Sequence, residues 1–197
     1  NDKTNKDLYY KIKKKEKLEE KESMQIMQSS LFVGCTIDNL TEEERNYRLI
    51  LYNTILGSMN NSVLFMNVRE KNSLCYHVGS YINRFTDTIE IESGINKKNY
   101  EKTLSIIDEC LRNMEDKKVI ETNIVNAKKT IEIAQNDFYD NMNKIMTYYF
   151  MNEFTNIPSI EERRLKVKDV TVDEICELAK KVRLSYVFLL EGVNEKN

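Results

Sequence analysis

Between Thr88 and Ser93 the side chains alternate without a break, with Ile89, Ile91 and Ser93 set against Thr88, Glu90 and Glu92. Such a strand has one dry face and one wet face, so it belongs in an antiparallel sheet covered on one side. The cover is written downstream. Tyr100, Leu104, Ile107, Leu111 and Met114 recur at four-three spacing, and Ile120, Ile124, Ala127, Ile131, Ala134 and Phe138 repeat the pattern. Each set makes one apolar stripe on a helix. A one-faced strand followed by one-faced helices predicts an α+β domain, with helices on one face of a mainly antiparallel sheet of about four to six strands.

Three more segments read as strands of the same sheet: Gln28 to Ile37, Leu74 to Phe85 and Leu184 to Leu190. Phe32 sits on what should be the wet face of the first, which predicts a central strand covered on both sides. LSYVFLL reads as a well-buried closing strand. Thr86-Asp87 supplies a turn, and Thr41-Glu42-Glu43-Glu44 is a capping box that opens a helix with Tyr47, Ile50, Leu51, Thr54 and Ile55 inward. Gly57 reads as its C-terminal stop. Met142 to Phe154 carries apolar residues nearly all round, as a deeply buried or interface helix does. Short helices from Ile160 and from Thr171 precede the last strand.

Lys+Arg 30 against Asp+Glu 32 leaves a net charge of −2, without the basic bias of a nucleic-acid or membrane-surface protein. The run Lys13-Lys14-Lys15 is interleaved with Glu16, Glu19 and Glu20, which argues against a basic nucleic-acid tail. Residues 1–24 therefore read as a linker from a preceding domain, 25–193 as the folded domain and 194–197 as a frayed end. The chain opens on Asn1 without a signal-peptide pattern, as expected of part of a longer protein. Cys35, Cys75, Cys110 and Cys176 are widely spaced and read as reduced thiols of a cytoplasmic protein. Cys75 and His77 lie two apart on a strand and so on one face, but two ligands make no zinc site.

The residues Ser62-Val63-Leu64-Phe65-Met66-Asn67-Val68-Arg69-Glu70-Lys71-Asn72-Ser73-Leu74-Cys75-Tyr76 read as a Ser-capped short helix, a break and the start of a strand. That reversal can bring Arg69 and Tyr76 to one rim of the sheet. The pattern L-G…S-x-L-F-x-x-V-R-E-K-x-x-L-x-Y resembles the second-half domain of pitrilysin/insulinase-type zinc metallopeptidases, the family of the mitochondrial processing peptidases. The resemblance runs from about Gln28 to Gly192. Met59, Asn60 and Asn61 depart from a loop often Gly-rich in that family, and Ser73 stands where Gly is common.

The resemblance implies that Arg69 and Tyr76 reach across a chamber to peptide held on a zinc site of another domain. Tyr76 would then donate to a developing oxyanion and Arg69 would clamp substrate carbonyls or an acid. Glu90 and Glu92, on a face that looks into the chamber in relatives, would favour basic peptides. The residues alone leave a plainer account open, with Arg69 paired to Glu70, Tyr76 as packing, and two solvated acids. The zinc motif H-x-x-E-H needs two histidines, and this chain has one, His77. No cofactor is expected in this chain, and zinc is expected in a partner domain or subunit. The expected function is a non-catalytic C-terminal domain that assists peptide hydrolysis in trans, beside a preceding half and a zinc-bearing paralogous subunit or in a homodimer. The alternative is a catalytically dead structural or peptide-binding homologue.

Overall fold

A computed structural model describes residues 18–155 and 157–193. Five strands form one sheet in the order β1-β5-β2-β4-β3. They are β1 (Leu18–Met24), β2 (Ser29–Ile37), β3 (Cys75–Asn83), β4 (Thr88–Ile95) and β5 (Val182–Gly192). All neighbours are antiparallel except β1 and β5. The four expected strands share this sheet, as the alternation required. Part of the expected linker does not behave as one: residues 18–24 are an edge strand, paired from Leu18↔Tyr186 to Met24↔Gly192. Their charged side chains are all exposed, so no hydrophobic pattern announces the strand, and β5 supplies its backbone partners. Residues 1–17, with the Lys13 run, and 194–197, expected to fray, lie outside the described residues.

The helices are α1 (residues 42–58), α2 (residues 63–70), α3 (Tyr100–Asn113), α4 (Lys117–Asn136), α5 (Met142–Asn152), α6 (Ile160–Asp169) and α7 (Val172–Ala179). Leu31, Val33 and Cys35 of β2, Ile89, Ile91 and Ile95 of β4, and Val187 and Leu189 of β5 point into the core beneath them. Burying each large aliphatic side chain contributes about 1.5–3 kcal/mol. Thr41 and Glu44 form the predicted capping box, with Glu44 N donating to Thr41 Oγ1 at 3.2 Å and Thr41 N to Glu44 Oε2 at 2.9 Å. Lys181 Nζ then reaches Glu44 Oε1 at 2.6 Å and ties the start of α1 to the start of β5.

Helix α1 buries Tyr47, Leu51, Thr54 and Ile55 of the predicted stripe, and more besides. Its turns widen to i→i+5 at Glu44–Arg48 and Thr54–Ser58, around an ordinary α segment, Leu49–Asn53. The buried face is broader than one stripe. Leu49, Tyr52 and Leu56 become fully buried, while Ile50 is only partly so. Tyr52 carries its hydroxyl into this core with no hydrogen-bond partner. An orphaned buried hydroxyl costs about 1–3 kcal/mol, so Tyr52→Phe should raise stability by about 1 kcal/mol, read from the urea midpoint.

Gly57 is not a left-handed stop, since no glycine among the described residues has positive φ. It lies in the last turn of α1, against β3. A Cβ at this position would stand 2.4 Å from Ser80 Oγ and 2.7 Å from Ser80 N. Beside it Asn53 Nδ2 donates to Ser80 O at 3.2 Å, and Ser80 Oγ donates to Asn53 Oδ1 at 2.7 Å, all buried.

Two further expectations are corrected. β2 is central, but its second face is open: Phe32 is 38% exposed, and Tyr186 and Phe188 of β5 are also partly exposed on that side. Helix α5 has no buried residue, with Met146, Tyr149 and Phe150 all more than 60% exposed, so the interface alternative is the one its geometry fits.

Candidate functional site

The site is built by the reversal from α2 into β3. Ser62 caps α2, accepting from Phe65 N at 3.3 Å. At the far end Asn72 Nδ2 donates to Asn67 O at 2.8 Å, and Ser73 N to Arg69 O at 2.9 Å. Ser73 adopts φ 50°, the left-handed conformation that costs an L residue and not glycine. Glycine would meet no such cost at this position. Ser73→Gly should therefore stabilise the domain by about 0.5–1 kcal/mol, after the added freedom of the unfolded chain is subtracted.

Leu74 is buried and its N–H donates to Val68 O at 3.1 Å, which pulls the chain onto the sheet edge. The register then slips. Cys75 pairs with Ile95 but His77 pairs with Gly94, leaving Tyr76 as the extra residue of a β-bulge. A bulge re-aims the side chain it carries. Tyr76 is thrown clear of the sheet and is 81% exposed. The same slip puts Cys75 on the helix side and His77 on the open side, so the shared face expected from their spacing does not exist. Among the described residues no three His, Cys, Asp or Glu side chains are placed to hold a metal ion.

Arg69 comes to meet Tyr76. Its Cζ lies 5.6 Å from the Tyr76 ring centroid and 4.8 Å from that of Phe65, one turn earlier on α2. Both are within cation–π range. Arg69 also has Glu70 Oε1 3.8 Å from its Nε, a long, exposed pair of small energetic weight. The guanidinium is thus aimed by two rings and keeps its hydrogen-bonding fork toward solvent, with the side chain 41% exposed. Phe65 was not among the candidates, although its i,i+4 spacing to Arg69 is a visible signal for this stack.

Glu90 and Glu92 are exposed on the open face, paired with Tyr81 and Gly79 of β3. Glu90 Oε1 accepts from Asn83 Nδ2 at 3.0 Å. Register places Glu90 five and Glu92 three strand positions from Tyr76, about 16 and about 10 Å along the sheet, so neither acid adjoins the Arg69–Tyr76 pair. Glu90 instead borders a groove of about 670 Å³ across the open face, whose apolar walls include Leu18, Phe32, Tyr186 and Phe188. The second face of β2 and β5 held the sequence signal for this groove. Burial pushes the Cys35 and Cys110 thiols up to about 12.

The fold is thus one sheet covered by helices on one face, with an Arg–Tyr pair presented on its rim. The chain belongs to the family described as the peptidase M16 inactive domain, which matches residues 2–131. It is 30% identical over 191 residues to a Bacillus subtilis (strain 168) protein named "Probable inactive metalloprotease YmfF", covering 92% of this chain and 42% of that protein. A conserved protein from Enterococcus faecalis V583 is similar in structure, with TM-score 0.85 and 29% identity over 96% of this chain and 45% of that one. A peptidase M16 inactive domain from Pseudomonas fluorescens shares the fold, with TM-score 0.72 and 19% identity over 95% of this chain and 47% of that one. The chain thus spans less than half the length of these relatives. No helix among the described residues is long and apolar enough to cross a membrane.

Proposed function

We propose that this domain assists peptide hydrolysis in trans, presenting Arg69 and Tyr76 to a peptide held on the zinc site of another domain or subunit. The observation that supports it is the stack on the rim: a bulge and two rings hold a guanidinium and a phenol side by side in solvent, with no buried partner for either. The phenol can donate to an oxygen that gains charge, and the guanidinium can grip a carbonyl pair or a carboxylate. Zinc, where a relative holds it, would polarise the scissile carbonyl; this chain has the single histidine His77, and among the described residues no three His, Cys, Asp or Glu side chains gather to hold a metal ion. The partner is a zinc-bearing paralogous subunit in preference to a second copy of the same protein. The open-face groove, with Glu90 on its border and Glu92 beyond it, receives the rest of the peptide and favours basic side chains. Free thiols at Cys35, Cys75, Cys110 and Cys176 suit the reducing cytoplasm.

A second reading is favoured by one finding, that the Bacillus subtilis relative is named a probable inactive metalloprotease. In that case the same rim and groove bind peptide without hydrolysis. The whole protein, purified with any subunit that accompanies it, separates the two in a fluorogenic peptide assay. Cleavage only when an H-x-x-E-H subunit is present supports the first reading. Cleavage by the isolated chain would overturn both.

A further inference from the structure

On the helical side of the molecule, away from the sheet groove, α1, α4, α5 and α6 enclose a cleft of about 780 Å³. This is within the size range of small-molecule sites. Its walls are apolar at Ile50, Ile131, Phe138, Met151 and Ile160, and cationic at Arg84, Lys144 and Arg163. Among the described residues none of its lining side chains is acidic. Ala134, expected in the buried stripe of α4, is exposed here instead and forms part of the wall.

Arg163 is the unusual group. Its Nε is buried with no hydrogen-bond partner, and its guanidinium faces the Tyr148 ring at 5.6 Å. The acids beside it in sequence are turned elsewhere: Glu162 accepts from Tyr47 at 2.7 Å, and Glu161 accepts from Tyr139. Burial lowers the guanidinium from arginine's ordinary value, as expected of a desolvated cation without a counter-ion. An unpaired, partly buried cation is costly to keep, and an arriving anion relieves that cost. Arg84 lines the same wall, and its Nη1 donates to Asn46 Oδ1 at 3.3 Å.

We propose that this cleft binds a carboxylate carried on an apolar body, with Arg163 taking the carboxylate, Lys144 at the mouth adding charge, and the Ile131–Phe138–Ile160 wall taking the apolar part. A guanidinium fork matches a carboxylate better than a spherical anion, and the apolar walls exclude a ligand that is charge alone.

Calorimetric titration of the full chain with 3-phenylpropanoate, 3-phenylpropanamide, inorganic phosphate and N-acetylphenylalanine tests this. The acid should bind with a Kd below about 1 mM, with the amide and phosphate each about tenfold weaker or more. Arg163→Gln should remove about tenfold of the acid's affinity and leave the amide unchanged. Lys144→Gln alters an exposed residue and does not threaten the fold; it should cost about threefold, an effect that fades with added salt. N-acetylphenylalanine binding tighter than 3-phenylpropanoate would point to a peptide C-terminus as the natural ligand, and weaker binding to a free acid; either order upholds the carboxylate class. Equal binding of acid and amide, phosphate matching the acid, a Lys144→Gln variant that binds as tightly as the parent, or no binding at about 10 mM would overturn the proposal. These titrations need no peptidase activity, so they stand or fall separately from the role of Arg69 and Tyr76.

Discussion

In an assembly that hydrolyses peptide, Tyr76→Phe should lower kcat by about tenfold to a thousandfold, the range for losing one oxyanion donor. KM should change little. A phenol that donates mainly to charge built in the transition state contributes to turnover and not to ground-state binding. The geometry suits this role because the bulge leaves the ring 81% exposed, with its position set by backbone register. Arg69→Lys should also impair turnover, since an ammonium loses both the planar stack on Phe65 and Tyr76 and the forked contact. Neither substitution should shift stability by more than about 0.5 kcal/mol, as both side chains lie at the surface. Unchanged turnover together with a lowered melting temperature in Tyr76→Phe would make the tyrosine a packing residue.

Gly57→Val should destabilise the domain by about 3–5 kcal/mol, a large share of the roughly 5–15 kcal/mol that holds such a fold. The added Cβ would meet Ser80 Oγ at 2.4 Å and the Ser80 backbone N at 2.7 Å, and backbone cannot rotate away. Overpacking of this kind costs about 1–3 kcal/mol. Forcing α1 off β3 also breaks the buried Asn53–Ser80 hydrogen bonds, at about 1–3 kcal/mol for the groups left unpaired. The gain in helix propensity over glycine is a few tenths of a kcal/mol and does not compensate. Urea denaturation should show a lower midpoint at unchanged slope. Gly34→Ala is the control: its Cβ would make only an ordinary 3.4 Å contact with Tyr186, so its midpoint should move little.

What the sequence disclosed follows from period. The alternation at 88–93, the stripe from Tyr100 to Met114 and the Thr41 capping box each predict a local geometry, and each is present. Features set by register or by distant neighbours were not legible. Strand β1 carries four consecutive charged residues, Glu19 to Glu22, is exposed throughout and exists because β5 offers it backbone partners. The slip at Tyr76 adds one residue to β3 and separates Cys75 from His77, which plain alternation placed together. The role of Gly57 depends on β3, twenty-three residues further on, and not on the end of its own helix. For the site, the Arg69–Tyr76 spacing was visible, whereas the distance of Glu90 from that pair required the strand register.

The central claim, that the Arg69–Tyr76 rim meets peptide, is tested most directly by photo-crosslinking. A benzophenone amino acid in place of Tyr76, in the whole protein, would be irradiated with a labelled tryptic digest of an unfolded protein. Val125, exposed on α4, supplies the control position. The account predicts peptide adducts at position 76 that unlabelled digest competes away, and few at position 125. Equal labelling at the two positions, or none at 76, would contradict it.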